Sequence, residues 1–443
     1  MRLPTVRSLD RIGCPPTPDR DIVWSQSVDK GEELSNSDAN ANAYELPANL
    51  EATLRSIADR HSTELLEISH KIHARPELRF TETYAASLLV DVLDREGFTT
   101  EVGVAGLPTA FLGSFGSADD GPTVAIFLEY DALEEIGHAC GHNVIAAIGL
   151  GAALTVKQWM DEEDLRIGKL VVVGSPGEEG GGGKNYLIDS GRLDNIDVAM
   201  MMHPEGENLA SMATLGRVSL DFEFTGRAAH AAVSPERGIN ALDGAVLTLN
   251  AIGLLRQQLP SDVRVHAIVI DGGEAPNIIP ERSVVRVSFR APDSQFLVEH
   301  LQPRIENCAK GAALATGATV SIKQESPTYA AMQPNPVLGA IVEANFTRVG
   351  RTSNPQRAEA FPGSTDMGNV SQIIPSIHPC IEFVPGLGMH TREATSVAGG
   401  PDADKALLDG TLILAMTAAQ VFATPGVLDA VKDSFVEGVR IGI

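Results

Sequence analysis

Three apolar runs of the sequence are each followed by side chains able to bind a metal ion or move a proton. The runs cover residues 123–128, 169–174 and 197–202. The side chains that follow them are, in chain order, Asp131, Cys140, His142, Glu178, Glu179 and His203. Thiolate, imidazole and carboxylate groups are the ligands that zinc takes in proteins. Several such groups after successive runs are harder to attribute to chance than a single one.

The triplet Cys140-Gly141-His142 is the most specific of these signals. A thiol and an imidazole two residues apart, just before a predicted helix, can point at one cation. The positive end of the helix dipole also favours the thiolate form of the cysteine. The alternative is a buried structural cysteine beside a hydrogen-bonded histidine, and the other candidate ligands make a metal site the preferred interpretation.

Glu178 and Glu179 are neighbours in the glycine-rich turn GEEGGGGK. Adjacent carboxylates facing one cleft repel each other unless a cation lies between them. One metal ligand and one general base is therefore a natural division of roles, with a solvated acidic turn as the alternative. The turn lacks the spacing and the Ser/Thr of a phosphate-binding loop, so that function is rejected.

The remaining histidines carry weaker signals. His203 follows an all-apolar run, and its alternative is a histidine hydrogen-bonded inside the core. His390 lies in a loop sequence, GLGMHTREAT, and His230 lies in GRAAHAA, too far from the other candidates to be assigned by spacing.

Two kinds of periodicity divide the chain. The apolar runs alternate with helical patterns at 143–160 and 184–190, which is typical of a parallel sheet flanked by helices. Because the carboxyl ends of parallel strands share one edge, the candidate ligands are expected there. Residues 215–326 instead predict the order β-α-β-β-α-β of a ferredoxin-like module inserted into the first unit, 46–214 and 327–443. Residues 1–45 lack an apolar period and are interpreted as a flexible tail.

Composition narrows the class of protein. The 443 residues carry 34 Lys and Arg against 58 Asp and Glu, a net charge of −24. Such a surface repels phosphate backbones, so nucleic acid is not an expected partner. No stretch is judged apolar enough to span a bilayer, so no membrane is expected. Four scattered cysteines form no disulfide framework, which favours a reducing compartment, the cytoplasm.

Eight sequence pieces together resemble the M20 family of metallopeptidases and amidohydrolases, in the branch that has a cysteine ligand and includes dipeptidases, aminoacylase-like enzymes and p-aminobenzoyl-glutamate hydrolase. In chain order the pieces are HARPELRF (73–80), EYDALEEIGHACGHN (129–143), PGEEGGGGK (176–184), MMHPEG (201–206), GRAAHAA (226–232), APNIIPERS (275–283), FPGSTDMGNVS (361–371) and GMHT (388–391). The resemblance covers residues 60–425.

The resemblance implies an α/β catalytic domain, an inserted dimerisation lid and a homodimer. It implies metal ligands at Cys140, His142, Glu179, His203 and His390. It further implies a general base at Glu178, an orienting acid at Asp131, a histidine at His230 that reaches the partner's site, and substrate contacts at Asn277 and Arg290. The wider family has a histidine at the position of Glu129.

These roles imply hydrolysis of an amide bond in a dipeptide or an N-acyl amino acid. A metal-bound hydroxide would attack the carbonyl while Glu178 transfers the proton. Five ligands exceed the three of a single catalytic zinc, so two divalent ions are expected, zinc or manganese, with cobalt also compatible. The alternatives are a p-aminobenzoyl-glutamate-type or secondary-metabolite amide hydrolase, and a non-catalytic metal-binding relative.

Overall fold

The computed structural model describes residues 45–354 and 360–441. The tail predicted at residues 1–45 lies outside this range except for its last residue. The described chain is a mixed α/β fold with a six-stranded, a four-stranded and a two-stranded sheet.

The strands and helices alternate along most of the chain. The strands are β1 (Thr99–Val102), β2 (Phe111–Gly116), β3 (Thr123–Leu128), β4 (Lys169–Gly174), β5 (Val198–Met200), β6 (His203–Glu205), β7 (Gly216–Thr225), β8 (Arg264–Asp271), β9 (Arg282–Ala291), β10 (Thr319–Tyr329), β11 (Ser376–Ile377) and β12 (Cys380–Glu382). The helices are α1 (Ala48–His73), α2 (Thr83–Arg95), α3 (His142–Glu162), α4 (Gly183–Asp189), α5 (Ala241–Leu255), α6 (Gln302–Thr316), α7 (Pro336–Arg348), α8 (Met367–Ser371), α9 (Arg392–Ala398), α10 (Pro401–Ala423) and α11 (Val427–Asp433).

The six-stranded sheet has the order β1-β2-β4-β3-β5-β11. Strand β3 pairs in parallel with β4 and β5, and β11 pairs in parallel with β5. All six residues of β3 are buried, as expected for an apolar strand covered on both faces. Strands β1 and β2 add an antiparallel edge that the apolar pattern does not predict. The sheet is therefore mixed, with its parallel strands in the half that carries the candidate site.

Helix α10 packs against α1, α3 and α7. Its length and composition would suffice to cross a bilayer, contrary to the sequence-based expectation, but 83% of its most apolar window is buried inside the fold. Burial against neighbouring helices accounts for its apolar character, as for the core helix of a large sheet domain.

The four-stranded sheet is antiparallel throughout, with the order β10-β7-β9-β8. Its elements follow each other as β7-α5-β8-β9-α6-β10, the predicted β-α-β-β-α-β order. Alternate residues of the strands, such as Phe222, Phe224 and Phe289, form a hydrophobic cluster of their own with α5 and α6. A π-helical segment, Phe296–Leu301, leads into α6.

Candidate active site

The carboxyl ends of β3, β4, β5 and β11 meet at one edge of the six-stranded sheet. Parallel pairing brings Leu128 opposite Gly174 and Met200 opposite Ile377, so the segments that follow these residues start side by side. The predicted metal ligands that follow β3, β4 and β5 therefore lie close together, because the carboxyl ends of parallel strands lie at the same edge of the sheet.

Cys140 lies at the centre of the cluster of candidate ligands, which also contains His142, Glu179, His203 and His390. Its Sγ atom is 3.4 Å from His203 Nε2 and 3.2 Å from His390 Nε2. Gly141 follows with φ 72°, and a Cβ atom at this position would come within 2.5 Å of Pro204 Cγ. Only glycine fits between the thiol and His142, which explains the Cys-Gly-His spacing.

His142 is fully buried at the start of α3. Its Nδ1 atom lies 3.0 Å from Asp131 Oδ1, and Asp131 Oδ2 accepts the backbone N–H of Glu179 at 3.0 Å. Burial alone would raise the pKa of Asp131, but His142, the Glu179 amide and Lys184 outweigh it and lower that pKa. With Nδ1 engaged by a carboxylate, Nε2 is left facing the cluster, 3.5 Å from Glu129 Oε2.

Glu178 and Glu179 differ in surroundings although they are adjacent. Burial, followed by the charges of Glu129, Glu179 and Asp366, raises the pKa of Glu178 well above its ordinary value. Burial opposes ionisation of Glu179 too, but His390 and His142 outweigh it and lower its pKa. The Glu179 Oε1 atom lies 3.2 Å from His390 Nε2. The two carboxyl groups are thus held in different protonation environments.

His390 has a strained backbone, with φ 61°. A non-glycine residue in the left-handed region costs about 1 kcal/mol or more and persists where the surroundings require it. The backbone N–H of His390 donates to Ala139 O at 2.9 Å, which ties this loop to the Cys140 segment. In this conformation the His390 imidazole contacts Cys140 and Glu179.

These donor atoms fit a divalent metal ion. Ligands bound at about 2.0–2.3 Å in a tetrahedral site stand about 3.3–3.8 Å apart, close to the 3.2 and 3.4 Å contacts of the thiol. Three overlapping groups have ligand atoms within 4.8 Å of one another: Cys140, His142 and His203; Cys140, Glu179 and His390; and Glu129, His142 and Glu178.

The expected thiolate at the helix terminus is not supported by the protein alone. Burial, followed by the charge of Glu179, raises the pKa of Cys140 well above its ordinary value. The helix dipole is outweighed because the sulfur is excluded from water. A bound cation is therefore what would ionise this thiol.

Three further residues complete a buried charge network that the sequence analysis did not assign. The Lys184 ammonium, fully buried, bonds to Glu129 and lies 2.6 Å from Asp366 Oδ1. Asp366 Oδ2 also accepts the backbone N–H of Lys184 at 3.0 Å. The Lys-carboxylate contacts join residues that are far apart in sequence, so local pattern alone did not reveal them.

The cluster opens into a cavity of about 610 Å³. Cys140, Glu178, Glu179, His203 and His390 line it, and so does Arg290, one of the two predicted substrate contacts. Arg217, Tyr329 and His378 also line it and were not predicted.

Arg217 and Arg290 stand directly opposite each other on β7 and β9. Like charges at such a pair are destabilising, and burial together with Arg217 lowers the pKa of Arg290. Arg217 also stacks over Tyr329, with Cζ 4.8 Å from the ring centroid.

His230 and Asn277 do not join the cavity of their own chain. Both are exposed, and the backbone N–H of Ala231 donates to Asn277 O at 3.0 Å, so the two segments lie beside each other on the surface. Within the described chain, neither side chain contacts the candidate metal ligands, so their predicted roles are not met there.

The chain matches known proteins over most of its length. Residues 121–420 match the model of Peptidase family M20/M25/M40. The chain is 38% identical over 402 residues to the Xaa-Arg dipeptidase of Mus musculus, covering 88% of this chain and 93% of that protein. It is 35% identical over 276 residues to one of the p-aminobenzoyl-glutamate hydrolase subunits of Escherichia coli, covering 58% of this chain and 56% of that protein.

Two solved structures share the fold. An aminobenzoyl-glutamate utilization protein from Klebsiella pneumoniae superposes with a TM-score of 0.66 at 21% identity, covering 84% of this chain and 99% of its own. A Bacillus subtilis protein described as a dinuclear metal-binding peptidase from the M20 family superposes with a TM-score of 0.58 at 19% identity, covering 81% and 99%. Together with the match over residues 121–420, the motifs and the mouse relative show that the chain belongs to the M20 family of peptidases and amidohydrolases, as its sequence predicts.

Proposed function

We propose that this protein hydrolyses the amide bond of a dipeptide in a metal-dependent reaction. The observation that carries the proposal is the convergence of the five predicted ligands in overlapping groups, four of them on the wall of one cavity and His142 buried behind it, with Glu178 beside them. Cys140 and His390 meet although 250 positions separate them in sequence. The mouse relative, an Xaa-Arg dipeptidase, supports a dipeptide as the substrate.

Two divalent ions fit the charges of the site. Its carboxyl groups are Glu129, Asp131, Glu178, Glu179 and Asp366, and the buried ammonium that faces them is Lys184. The carboxyl groups outnumber this single ammonium group, and burial raises the pKa of Glu178 and of the Cys140 thiol, so bound cations would stabilise the ionised forms of both. The Bacillus subtilis protein described as a dinuclear metal-binding peptidase supports two ions. Cysteine and histidine ligands favour zinc, while the carboxylates also admit manganese or cobalt.

The residues Cys140, His142, Glu179, His203 and His390 would hold the ions, and Glu129 lies in the ligand group that it forms with His142 and Glu178. Bound ions would polarise the amide carbonyl and lower the pKa of a water molecule. Asp131 keeps His142 in the tautomer whose Nε2 faces the cluster.

Glu178 serves as the general base in this proposal. Its side chain is buried at the cavity wall, and the Tyr329 hydroxyl donates to its backbone carbonyl at 2.5 Å, which fixes the turn. The carboxylate takes a proton from the attacking water and returns it to the leaving amine.

The paired arginines provide a place for a substrate carboxylate. Arg217 Nε is buried without a hydrogen-bond partner among the described residues, and Arg290 Nη1 bonds only to neutral oxygens, Pro362 O at 2.6 Å and Ser364 Oγ at 3.3 Å. A carboxylate bound between two guanidinium groups relieves their repulsion. The same pair favours a second candidate, a p-aminobenzoyl-glutamate-type substrate, whose two carboxylates would occupy one guanidinium each.

We further propose that residues 215–326 act as a lid and as a homodimer interface. Strand β8 is an edge of the four-stranded sheet, and it exposes Ile268, Val269 and Ile270 at 63%, 40% and 49% respectively. An exposed apolar edge strand favours pairing with another chain. In this proposal His230 and Asn277, which are exposed on adjacent segments of the same unit, serve the cavity of a second copy.

The compartment we propose is the cytoplasm. Cys140 and Cys308 are free thiols, which a reducing compartment preserves.

The test is a hydrolysis assay on chelator-treated protein to which zinc, manganese or cobalt is returned. The substrate panel contains dipeptides ending in arginine, dipeptides ending in neutral residues, N-acetyl amino acids and p-aminobenzoyl-glutamate. We expect cleavage of at least one dipeptide only after metal is restored. Cleavage that survives chelation would contradict metal dependence, and no cleavage with any metal would contradict the proposed activity.

A further inference from the structure

His378 is a buried imidazole that the proposed mechanism does not yet use. It follows β11, the fourth parallel strand, just as His203 follows β5. Its residue is only 1% exposed, yet it lines the cavity. Its ring centroid is 5.5 Å from that of His203, so it lies directly beside one of the candidate metal ligands.

Neither ring nitrogen of His378 has a hydrogen-bond partner from another residue in the described part of the chain. A buried polar group without a partner costs about 1–3 kcal/mol. His138 is also buried without such partners, but it stacks near His73 and does not line the cavity. The combination of an unpaired imidazole and a cavity wall points to a partner that arrives with the ligand.

His378 is not placed as a further metal ligand. It belongs to none of the three groups whose ligand atoms lie within 4.8 Å of each other. Thr214 and Thr365 line the same cavity, and neither hydroxyl bonds to His378: they accept the backbone N–H groups of Met332 and Met367, both at 3.2 Å. A free N–H donor next to the ligands is what amide hydrolysis needs where charge develops on the carbonyl oxygen.

We propose that His378 is a catalytic residue that donates a ring N–H to the carbonyl oxygen of the scissile amide as that oxygen becomes negative. This inference rests on the proposed amide hydrolysis. The proton stays on His378, the oxygen gains negative charge during attack by water, and its electron pair re-forms the C=O double bond as the C–N bond breaks and the amine leaves. No bond to His378 forms or breaks.

The experiment compares metal-loaded wild-type protein with His378→Phe, His378→Gln and, as control, His300→Phe, which changes an exposed imidazole outside the cavity. Isothermal titration calorimetry measures binding of a phosphinic dipeptide analogue, whose tetrahedral phosphinate resembles the intermediate, and of the product amino acid. Elemental analysis gives the metal content, and thermal unfolding gives the stability.

His378→Phe is expected to weaken phosphinate binding and to lower kcat about 100-fold, with little change in product binding. His378→Gln, which keeps an N–H donor, should restore part of both, and His300→Phe should match wild type. The melting temperature should not fall, because no hydrogen bond from another residue is lost.

Unchanged phosphinate affinity and kcat in His378→Phe, beside an active wild type, would overturn the role of His378 alone. Loss of metal or of folding in both His378 variants would also overturn it, in favour of a structural role. A wild type that neither cleaves any dipeptide nor binds the phosphinate would overturn the proposed function, and this inference with it.

Discussion

The predicted site residues divide into two groups with very different surroundings. Cys140, His142 and Glu178 are buried at the edge of the six-stranded sheet and touch other candidates of the same chain. His230 and Asn277 are exposed on loops of the unit built on the four-stranded sheet and touch none of them. The first group is assembled by folding alone, whereas the second needs a partner chain or a movement to reach any site.

The buried group is expected to divide into a base and a ligand when its two glutamates are neutralised singly. Glu178→Gln should keep its metal and lose turnover by about 10²–10⁴-fold, because only the proton acceptor is removed. Its matched control, Glu179→Gln, should instead lose metal, since it removes a carboxylate of the Cys140 and His390 group. Steady-state kinetics and elemental analysis separate the two outcomes. Equal metal loss in both variants would contradict the division of roles.

The exposed group is tested by mixing two inactive variants. If His230 serves the partner's cavity, His230→Ala and Glu178→Gln subunits that exchange should form dimers with one intact site. Random exchange makes half of the dimers mixed, so about a quarter of all sites should regain activity. Subunit exchange is followed by native mass spectrometry of differently tagged chains. Complete exchange without recovered turnover would show that each site is built within one chain.

The comparison also shows what sequence can predict. The apolar runs of β3, β4 and β5 indicate buried parallel strands, and the rule that such strands end at one edge brings the ligands together. The apolar pattern does not predict strand β1, TTEV, because it is short and mostly exposed, or strand β2, FLGSFG, because two of its six residues are glycine. His378 follows a strand of only two residues, and the Lys184–Asp366 contact joins positions 182 apart. Such contacts arise from tertiary packing and leave no local pattern.

A third variant asks whether the central thiol holds metal, as the buried group requires. Cys140→Ala should weaken metal binding by at least about 10–100-fold, the range seen even for residues that only support ligands. The matched control is Cys308→Ala, which removes a half-buried thiol from the unit built on the four-stranded sheet. This variant should bind metal as wild type does. Competition with a metal-sensitive dye measures the affinities. Equal affinity in the two variants would remove Cys140 from the ligand set.

The last prediction concerns stability and not activity, at Glu82, a buried carboxyl group that lies outside the groups of candidate metal ligands. Burial, followed by the charge of Asp131, raises its pKa to about 7. Its oxygens accept the Phe80 N–H at 2.8 Å and the Thr109 hydroxyl at 2.9 Å. Unlike Glu129, which bonds to Lys184, it has no cation contact among the described residues, so protonation is the way it avoids a buried charge.

The sign of the pH effect follows from this raised pKa. The unfolded chain releases the Glu82 proton near its ordinary pKa of 4.5, while the folded chain keeps it up to about 7. The contribution of this group to stability therefore falls as pH rises from 4.5 to 7 and stays low above that. Glu82→Gln should remove the contribution of this group to the slope and be more stable than wild type at pH 8 by up to about 3 kcal/mol, with near equality at pH 4.5.

Denaturant unfolding of chelator-treated protein between pH 4.5 and 8 measures this difference without a contribution from bound metal. Glu437→Gln, at an exposed glutamate, is the control and should follow the wild-type curve. A stability gain of Glu82→Gln that is the same at every pH would mean that packing, and not protonation, distinguishes the two side chains. A gain that grows with pH would show that the buried Glu82 carboxyl group is neutralised by protonation. The carboxylates of the neighbouring site are neutralised instead by the Lys184 ammonium group and, in the proposed function, by metal ions.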